Sequence, residues 1–194
     1  MILFISFLIF AYLLGSISSA ILICRVAGIG DPRAQGSQNP GATNVLRLGG
    51  KKLAIWTLVG DMLKGFIPVF IAHFFSLSPA QLSYVALSAF IGHLFPVFFG
   101  FKGGKGVATA LGVVLALSWP VGCATLITWI IVAALFKYSS LAALITTILL
   151  PLYIYLSSDP AYLPAIIILS LLLILKHRGN IHRLWRGEEG KIEL

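Results

Sequence analysis

Residues 1–24 read MILFISFLIFAYLLGSISSAILIC, an apolar run without a single charged side chain. As an α-helix this run would be about 36 Å long, enough to cross the roughly 30 Å hydrocarbon core of a bilayer. A secretory signal peptide has a basic start and a shorter apolar centre. We therefore expect the run to be a retained transmembrane helix.

The composition of the whole chain also places most of its surface in lipid. Of its 194 residues, 59% are hydrophobic and 10% are charged, whereas soluble domains average about 45–50% and about 25%. The net charge of +8 would suggest nucleic-acid binding on a soluble, polar face. Here the charges are confined to short gaps between apolar runs, so we expect no nucleic-acid partner. The basic residues are expected to orient the chain in the membrane and to bind anions.

The apolar runs predict one all-α integral-membrane domain, residues 1–194, with seven transmembrane helices. The predicted helices are 2–24, 53–75, 80–99, 106–119, 121–136, 140–156 and 161–176. Because the helices from 106 to 156 are short for full spans, a re-entrant pair over 106–136 is the alternative arrangement.

The basic residues predict how these helices are oriented. Cytoplasmic loops carry the excess of Lys and Arg. With the N-terminus outside, the inner segments 25–52, 100–105, 137–139 and 177–194, with Lys176 at a boundary, contain every basic residue except Lys64. The outer loops, near 74–80, 119–121 and 157–160, contain none. The sequence thus predicts an external N-terminus and a cytoplasmic C-terminus.

The first inner loop contains GSQNPGATNVLRLGGKK, residues 36–52. Its Asn-Pro-Gly sequence predicts a tight turn, after which residues 42–48 would open a helix whose N-terminus faces an anion. Small donors and one arginine follow each other closely, a pattern that favours phosphate binding. The expected phosphate-binding residues are Gly36, Ser37, Asn39, Gly41, Thr43, Asn44 and Arg47. The alternative is an interfacial turn and helix cap held by its own hydrogen bonds.

The second inner loop contains Lys102, Gly103, Gly104, Lys105 and Gly106. A flexible backbone with two ammonium groups suits a phosphate surrounded by N–H donors. The loop is not a Walker A motif, because the spacing G-x-x-x-x-G-K-[ST] is absent. A tight turn with membrane-anchoring charges is the other interpretation.

Four more polar residues near the inner face are candidates for the same site. Lys64 lies three residues after Asp61 in a predicted span, so the two side chains could pair or one could reach the site. His93 lies near the inner end of the third helix, where a packing role is the alternative. Ser139 and Ser140 lie at the inner end of the sixth helix, where capping is the alternative.

The C-terminal segment KHRGNIHRLWRGEEGK, residues 176–191, predicts an amphipathic helix at the membrane surface. His177, Asn180 and Arg183 recur at helical spacing on one face, where they could close the site from below. No zinc pattern, Ser-His-Asp triad or carboxylate pair of a hydrolase is present in the sequence. We therefore expect neither a metal nor a cofactor.

These segments together resemble the bacterial acyl-phosphate:glycerol-3-phosphate acyltransferase family, integral-membrane enzymes of phospholipid synthesis. The resemblance extends over LLGSISSA, GSQNPGATNVLR, DMLKG, GHLFPVFFGFKGGKGVAT and HRGNIHRL. It implies seven helices with an external N-terminus, in agreement with the topology predicted above. It also implies a multi-pass protein of the bacterial inner membrane with its active site facing the cytoplasm.

The resemblance implies the reaction and its participants. Glycerol 3-phosphate would attack an acyl phosphate, whose chain lies in the inner leaflet, to give lysophosphatidic acid and inorganic phosphate. The three family motifs fall on residues 37–47, on residues 102–106, and on His177, Asn180 and Arg183 with Glu189. Relatives often carry an acidic residue where this chain has Gly179, so a role for that acid is not expected here.

The family chemistry suggests roles for individual residues. Ser37, Asn39, Arg47 and Lys105 are expected to hold phosphates, and His177 and Asn180 to orient the attacking glycerol. We expect Ser37, Lys105, His177 and Asn180 to form the catalytic group; the proton could go to the leaving phosphate or to His177. The alternatives to an enzyme are a transporter for a phosphorylated small solute and a non-catalytic lipid-binding protein.

Overall fold

The computed structural model describes residues 1–192, which fold into nine α-helices and three short 3-10 segments. The helices are α1 (Ile2–Gly15), α2 (Ser19–Val26), α3 (Ala42–Ala72), α4 (Pro79–Leu94), α5 (Val107–Leu117), α6 (Trp119–Phe136), α7 (Ser139–Ser157), α8 (Leu163–Lys176) and α9 (Arg178–Arg186). The 3-10 segments are His73–Phe75, Val97–Phe99 and Pro160–Tyr162. The all-α prediction is confirmed.

Each of the seven predicted apolar segments is helical, but the segments differ in length. Five are long and apolar enough to cross a membrane: Ile2–Val26, Ala42–Phe75, Pro79–Phe99, Trp119–Phe136 and Ser139–Ser157. The pair Pro160–Lys176 and Arg178–Arg186, bent by 54°, is a sixth candidate span. The 11 residues of α5 reach only about 16 Å at about 1.5 Å per residue. Seven crossings therefore stay a prediction, as does the re-entrant alternative.

The first predicted helix is interrupted, which the sequence did not indicate. α1 ends at Gly15 and α2 begins at Ser19, with the Ser18 hydroxyl accepting from the backbone N–H of Ile21. Such a break frees backbone carbonyls that need donors inside an apolar bundle. The ammonium of Lys64 donates to the carbonyl of Ile17 at 2.8 Å. The lysine thus provides a donor for a carbonyl at the break, and this carbonyl provides an acceptor for the buried ammonium.

The second predicted helix starts eleven residues earlier than expected. It merges with the short helix predicted for 42–48, so that α3 runs from Ala42 through a kink at Gly50. Gly50 has φ 82°, which glycine adopts readily because it lacks a Cβ. The third predicted helix, 80–99, stops at Leu94, because Phe95 precedes a proline and leaves the helical region (φ −135°, ψ 67°).

Small residues let the helices pack at short range. A Cβ on Gly15 would overlap the backbone of Ala89, and one on Gly92 would overlap the carbonyl of Tyr12, so α1 and α4 are in backbone contact. A Cβ on Gly112 of α5 would overlap the carbonyl of Met62, so α5 and α3 are also in backbone contact. In a membrane, where apolar burial does not drive helices together, such close packing is a main source of stability.

Replacing Gly112 with Ala should destabilise the protein, because the new methyl would overlap the Met62 carbonyl. Overpacking of this kind costs about 1–3 kcal/mol, so we expect a lower thermal midpoint in detergent. Gly179→Ala is the matched control: Gly179 is exposed on α9 and its Cβ would meet nothing nearer than Arg183 Nη1 at 3.5 Å. Equal midpoints for the two variants would contradict the packing argument.

Candidate functional site

A cavity of about 870 Å³ lies where the basic segments converge. Its polar half is built from four regions far apart in sequence: the first basic loop with the start of α3, the 102–106 loop, the start of α7, and α9 with the tail behind it. The sequence-predicted residues that line it are Gly36, Ser37, Asn39, Gly41, Thr43, Asn44, Arg47, His93, Lys105, Gly106, Ser139, Ser140, His177, Asn180 and Arg183.

Four other predicted residues do not line this cavity. Lys64 is buried, and its ammonium lies 2.8 Å from the Asp61 carboxylate. Lys102 is exposed, and Gly103 and Gly104 pack behind the cavity wall against α4. Contact of these residues with phosphate stays a prediction.

The start of α3 supplies backbone donors to the cavity. The tight turn predicted before it is present, with the Gly41 N–H donating to the Asn39 carbonyl at 2.9 Å. Gly41 is the N-cap of α3, and no side chain of residues 1–192 caps this end. Ala42 and Thr43, in the first turn, line the cavity. Free N–H groups at a helix N-terminus attract anions, so this end is suited to a phosphate.

Asn44 holds the first loop together instead of leaving its amide free. Its Oδ1 accepts from the Ser37 N–H at 2.9 Å, and its Nδ2 donates to the carbonyls of Pro32 and Gln35 at 2.9 and 3.1 Å. Gly36 lies against the same side chain, where a Cβ would overlap Oδ1. The self-bonded turn considered in the sequence is therefore part of the structure, and it presents the neighbouring groups to the cavity.

Lys105 and Asn180 meet across the cavity. The ammonium of Lys105 donates to Asn180 Oδ1 at 2.5 Å, which joins the 102–106 loop to α9. Burial lowers the pKa of Lys105 to about 8, with Glu189 opposing the shift and Arg183 and Arg47 adding to it. A lysine with a lowered pKa in a cavity is typical of an anion-binding or catalytic position.

Glu189 is the acceptor around which the polar half is arranged. Its Oε1 accepts from Ser140 at 2.5 Å and from Asn180 Nδ2 at 2.6 Å, and its Oε2 accepts from Arg183 Nε at 2.7 Å. Burial alone would raise the pKa of this carboxyl, but the hydrogen bonds from Ser140, Asn180 and Arg183 lower it overall. The carboxylate thus stays ionised and fixes the orientation of three donors.

His177 is 2% exposed, and one of its two ring nitrogens contacts the backbone. Its Nδ1 lies 2.9 Å from the Leu173 carbonyl, a contact that places the ring proton on Nδ1. The second nitrogen, Nε2, is then an acceptor. Because His177 lines the cavity, this nitrogen could accept a hydrogen bond from a hydroxyl group.

The other half of the cavity is mainly apolar and continuous with the polar half. On α7 the lining residues follow one helix face from Ser139 to Leu150, a distance of about 16 Å at about 1.5 Å per residue. The apolar lining residues of the surrounding helices include Ala54, Ile55, Leu58, Leu111, Leu126, Ala143, Leu150 and Leu173. This shape suits a ligand with a charged head and a long hydrocarbon chain.

Sequence reasoning missed several lining residues. Lys51, Trp129 and Thr146 line the cavity, yet as single residues in a charged or apolar segment they carry no motif. Trp129 Nε1 and Thr146 Oγ1 are buried without a hydrogen-bond partner among residues 1–192. Glu189 was predicted only from the family resemblance. An acidic residue in a polar C-terminal tail carries no sequence pattern that indicates which residues it bonds.

Comparison with known proteins identifies the family. The family model described as glycerol-3-phosphate acyltransferase matches residues 5–187. A protein of that name from Methylococcus capsulatus is 56% identical over 184 residues, covering 94% of this chain and 93% of its own length. One from Vibrio cholerae is 54% identical over 187 residues, covering 96% and 89%.

Two solved structures of PlsY (YgiH), described as an integral membrane glycerol 3-phosphate acyltransferase, have the same fold. The glycerol 3-phosphate form has a TM-score of 0.93 at 42% identity and covers 98% of this chain and 96% of that one. The lysophosphatidic acid form has a TM-score of 0.90 at 41% identity, covering 98% and 95%. The chain therefore belongs to the glycerol-3-phosphate acyltransferase family and is an integral-membrane acyltransferase.

Proposed function

We propose that this protein transfers an acyl group from acyl phosphate to the primary hydroxyl of glycerol 3-phosphate, giving lysophosphatidic acid and inorganic phosphate. The observation that carries the proposal is a cavity in which a cationic, donor-rich half continues into an apolar half. Both substrates carry a phosphate, and one also carries a long chain. The relatives named above act on glycerol 3-phosphate, and the reactive anhydride of acyl phosphate makes a covalent enzyme intermediate unnecessary.

The proposed arrangement has seven crossings in the bacterial inner membrane, with the N-terminus outside and the polar half of the cavity facing the cytoplasm. The concentration of Lys and Arg in alternate loops supports it. So does the placement of the lining cations Arg47, Lys105 and Arg183, which all belong to segments predicted to be cytoplasmic. The exposed Ile55 and Leu58 on α3 and Leu126 on α6 would then open the apolar half towards lipid.

The cations and free N–H groups would hold two phosphates close together despite their mutual repulsion. Arg47 offers a forked donor suited to phosphate, Lys105 a single charge, and the start of α3 its backbone groups. Ser37 and Asn39 line the same end of the cavity. Holding both reactants in one geometry is worth about 7–11 kcal/mol of the barrier in favourable cases.

The chemical step needs only an oriented hydroxyl and a good leaving group. The glycerol oxygen attacks the acyl carbonyl carbon, the bond from that carbon to the phosphate oxygen breaks, and phosphate leaves. The hydroxyl proton goes to the leaving phosphate or to Nε2 of His177. Asn180, bonded to Lys105 and Glu189, would orient the attacking glycerol beside His177.

Replacing His177 or Asn180 with Ala should lower kcat by about 10²–10³-fold, because the first loses a proton acceptor and the second a preorganised donor. The assay follows phosphate release from acyl phosphate by the purified protein in the presence of glycerol 3-phosphate. His182→Ala is the matched control, because His182 is an exposed histidine on the same helix, α9. Wild-type turnover in both test variants would refute the proposed roles.

The identity of the donor is tested with the unmodified protein. Acyl phosphate should support acylation of glycerol 3-phosphate with release of one phosphate for each lysophosphatidic acid formed. Acyl-CoA of the same chain length serves as the comparison donor and should give little product. Product from acyl-CoA alone would overturn the acyl phosphate assignment.

The pKa of Lys105, about 8, predicts the pH above which the enzyme binds glycerol 3-phosphate less well. The free enzyme carries the ammonium below that pH and loses it as the pH rises through about 8, so kcat/KM for glycerol 3-phosphate should fall. Bound phosphate would stabilise the charged form, so kcat should fall less. Profiles from about pH 6 to about pH 10 measure both constants.

Lys105→Arg is the control for this profile, because arginine stays charged throughout the range. Whatever its absolute activity, the decline near pH 8 should disappear in this variant. An unchanged decline would mean that another group causes it.

A further inference from the structure

Three ionisable side chains lie buried together beneath the polar half of the cavity. Asp61, Lys64 and His93 are 3%, 5% and 6% exposed. The Lys64 ammonium lies 2.8 Å from the Asp61 carboxylate and donates to the Ile17 carbonyl, also at 2.8 Å. Asp61 and His93 are the two members of this cluster that line the cavity. Because ionisable groups in apolar helices are costly and usually functional, their position beside the site needs an explanation.

The imidazole of His93 supports the glycine-rich loop. A Cβ on Gly104 would lie 2.5 Å from His93 Nε2 and 2.9 Å from the Pro40 carbonyl oxygen. The side of Gly104 that would carry a Cβ therefore packs against both the ring and Pro40, which belongs to the first basic loop. The ring thus limits how closely the 102–106 loop, which carries Lys105, can approach α4.

Lys105 is held on both sides by this packing. Gly104 precedes it against His93, and Gly106 follows it with φ +86°, where a Cβ would overlap the Phe90 ring. With both neighbours fixed, the backbone of Lys105 is confined and its ammonium reaches Asn180 at 2.5 Å. A displacement of Gly104 would move that ammonium.

Asp61 lies on the opposite side of the ring, where it is paired with Lys64. Asp61 Oδ1 lies 3.8 Å from His93 Nδ1, which is too long for a hydrogen bond but close enough to favour a ring proton on that nitrogen. Neither ring nitrogen has a hydrogen-bond partner among residues 1–192. Packing therefore holds the ring, and the neighbouring Asp61 carboxylate is neutralised by Lys64.

We propose that His93, backed by Asp61 and Lys64, is a positioning residue that places the Lys105 ammonium for phosphate binding and acyl transfer. The inference rests on the proposed function, because it takes Lys105 as a phosphate ligand. It gives His93 and Lys64 a role that is exerted through Lys105 and requires no contact between them and substrate.

Two substitutions of His93 separate positioning from general stability. His93→Gln places an amide nitrogen near the position of Nε2 and keeps the contact with Gly104. His93→Asn keeps a polar group towards Asp61 but removes the half of the ring that touches Gly104. We expect His93→Asn to lower kcat/KM about 100-fold, as a displacement of about 1 Å would, and to weaken equilibrium binding of glycerol 3-phosphate. His93→Gln should retain most of both.

A double-mutant cycle tests the contact itself. Gly104→Ala should lower kcat/KM in the wild-type background, because its methyl meets the His93 ring. The same substitution should cost less in the His93→Asn background, where that part of the ring is gone and only the contact of the methyl with the Pro40 carbonyl remains. Gly103→Ala is the matched control: its methyl meets the His93 backbone carbonyl, so its effect should be the same in both backgrounds.

Equal activity of the Asn and Gln variants, or additive effects of His93→Asn and Gly104→Ala, would overturn the proposal. If His93→Asn does not fold, His93→Ala takes its place in the cycle: additive effects with Gly104→Ala would refute the positioning role, and a smaller cost of Gly104→Ala in the His93→Ala background would support it. Absence of acyl transfer and glycerol 3-phosphate binding in the unmodified protein would instead refute the proposed function.

Discussion

The carboxylate of Glu189 joins the elements that form the polar half of the cavity. It accepts from Ser140 at the start of α7 and from Asn180 and Arg183 on α9, while Asn180 also accepts from Lys105. Several cations face the same space, and buried like charges repel each other strongly unless an anion lies among them. Glu189 reduces this repulsion. The remaining positive charge favours phosphates.

The rest of the bundle keeps those donors in place. Backbone contacts at Gly15, Gly92 and Gly112 bring α1 to α4 and α3 to α5 with little freedom to shift. The ion pair of Lys64 with Asp61 and the bond to Ile17 tie the broken first span to α3. Catalysis by positioning needs such rigidity, because the gain from a preorganised site is lost when its groups move by about 1 Å.

Much of the fold and of the site could be predicted because it depends on local patterns. The seven apolar runs are helical, the turn before α3 is where Asn39-Pro40-Gly41 indicated, and His177, Asn180 and Arg183 share a face. The break between α1 and α2 could not be predicted, since residues 16–18 carry no proline or charge. That break is stabilised by Lys64, 47 positions away.

The sequence by itself determined that the chain is a helical membrane protein with basic, donor-rich segments between its apolar runs. Hydrophobicity, helical periodicity and turn chemistry act over a few residues, so they can be read along the chain. Only the tertiary structure decided which donors meet: that Lys105 reaches Asn180, that Glu189 bonds three partners, and that Gly104 rests on His93. These contacts join segments far apart in the chain, and their geometry depends on how whole helices pack.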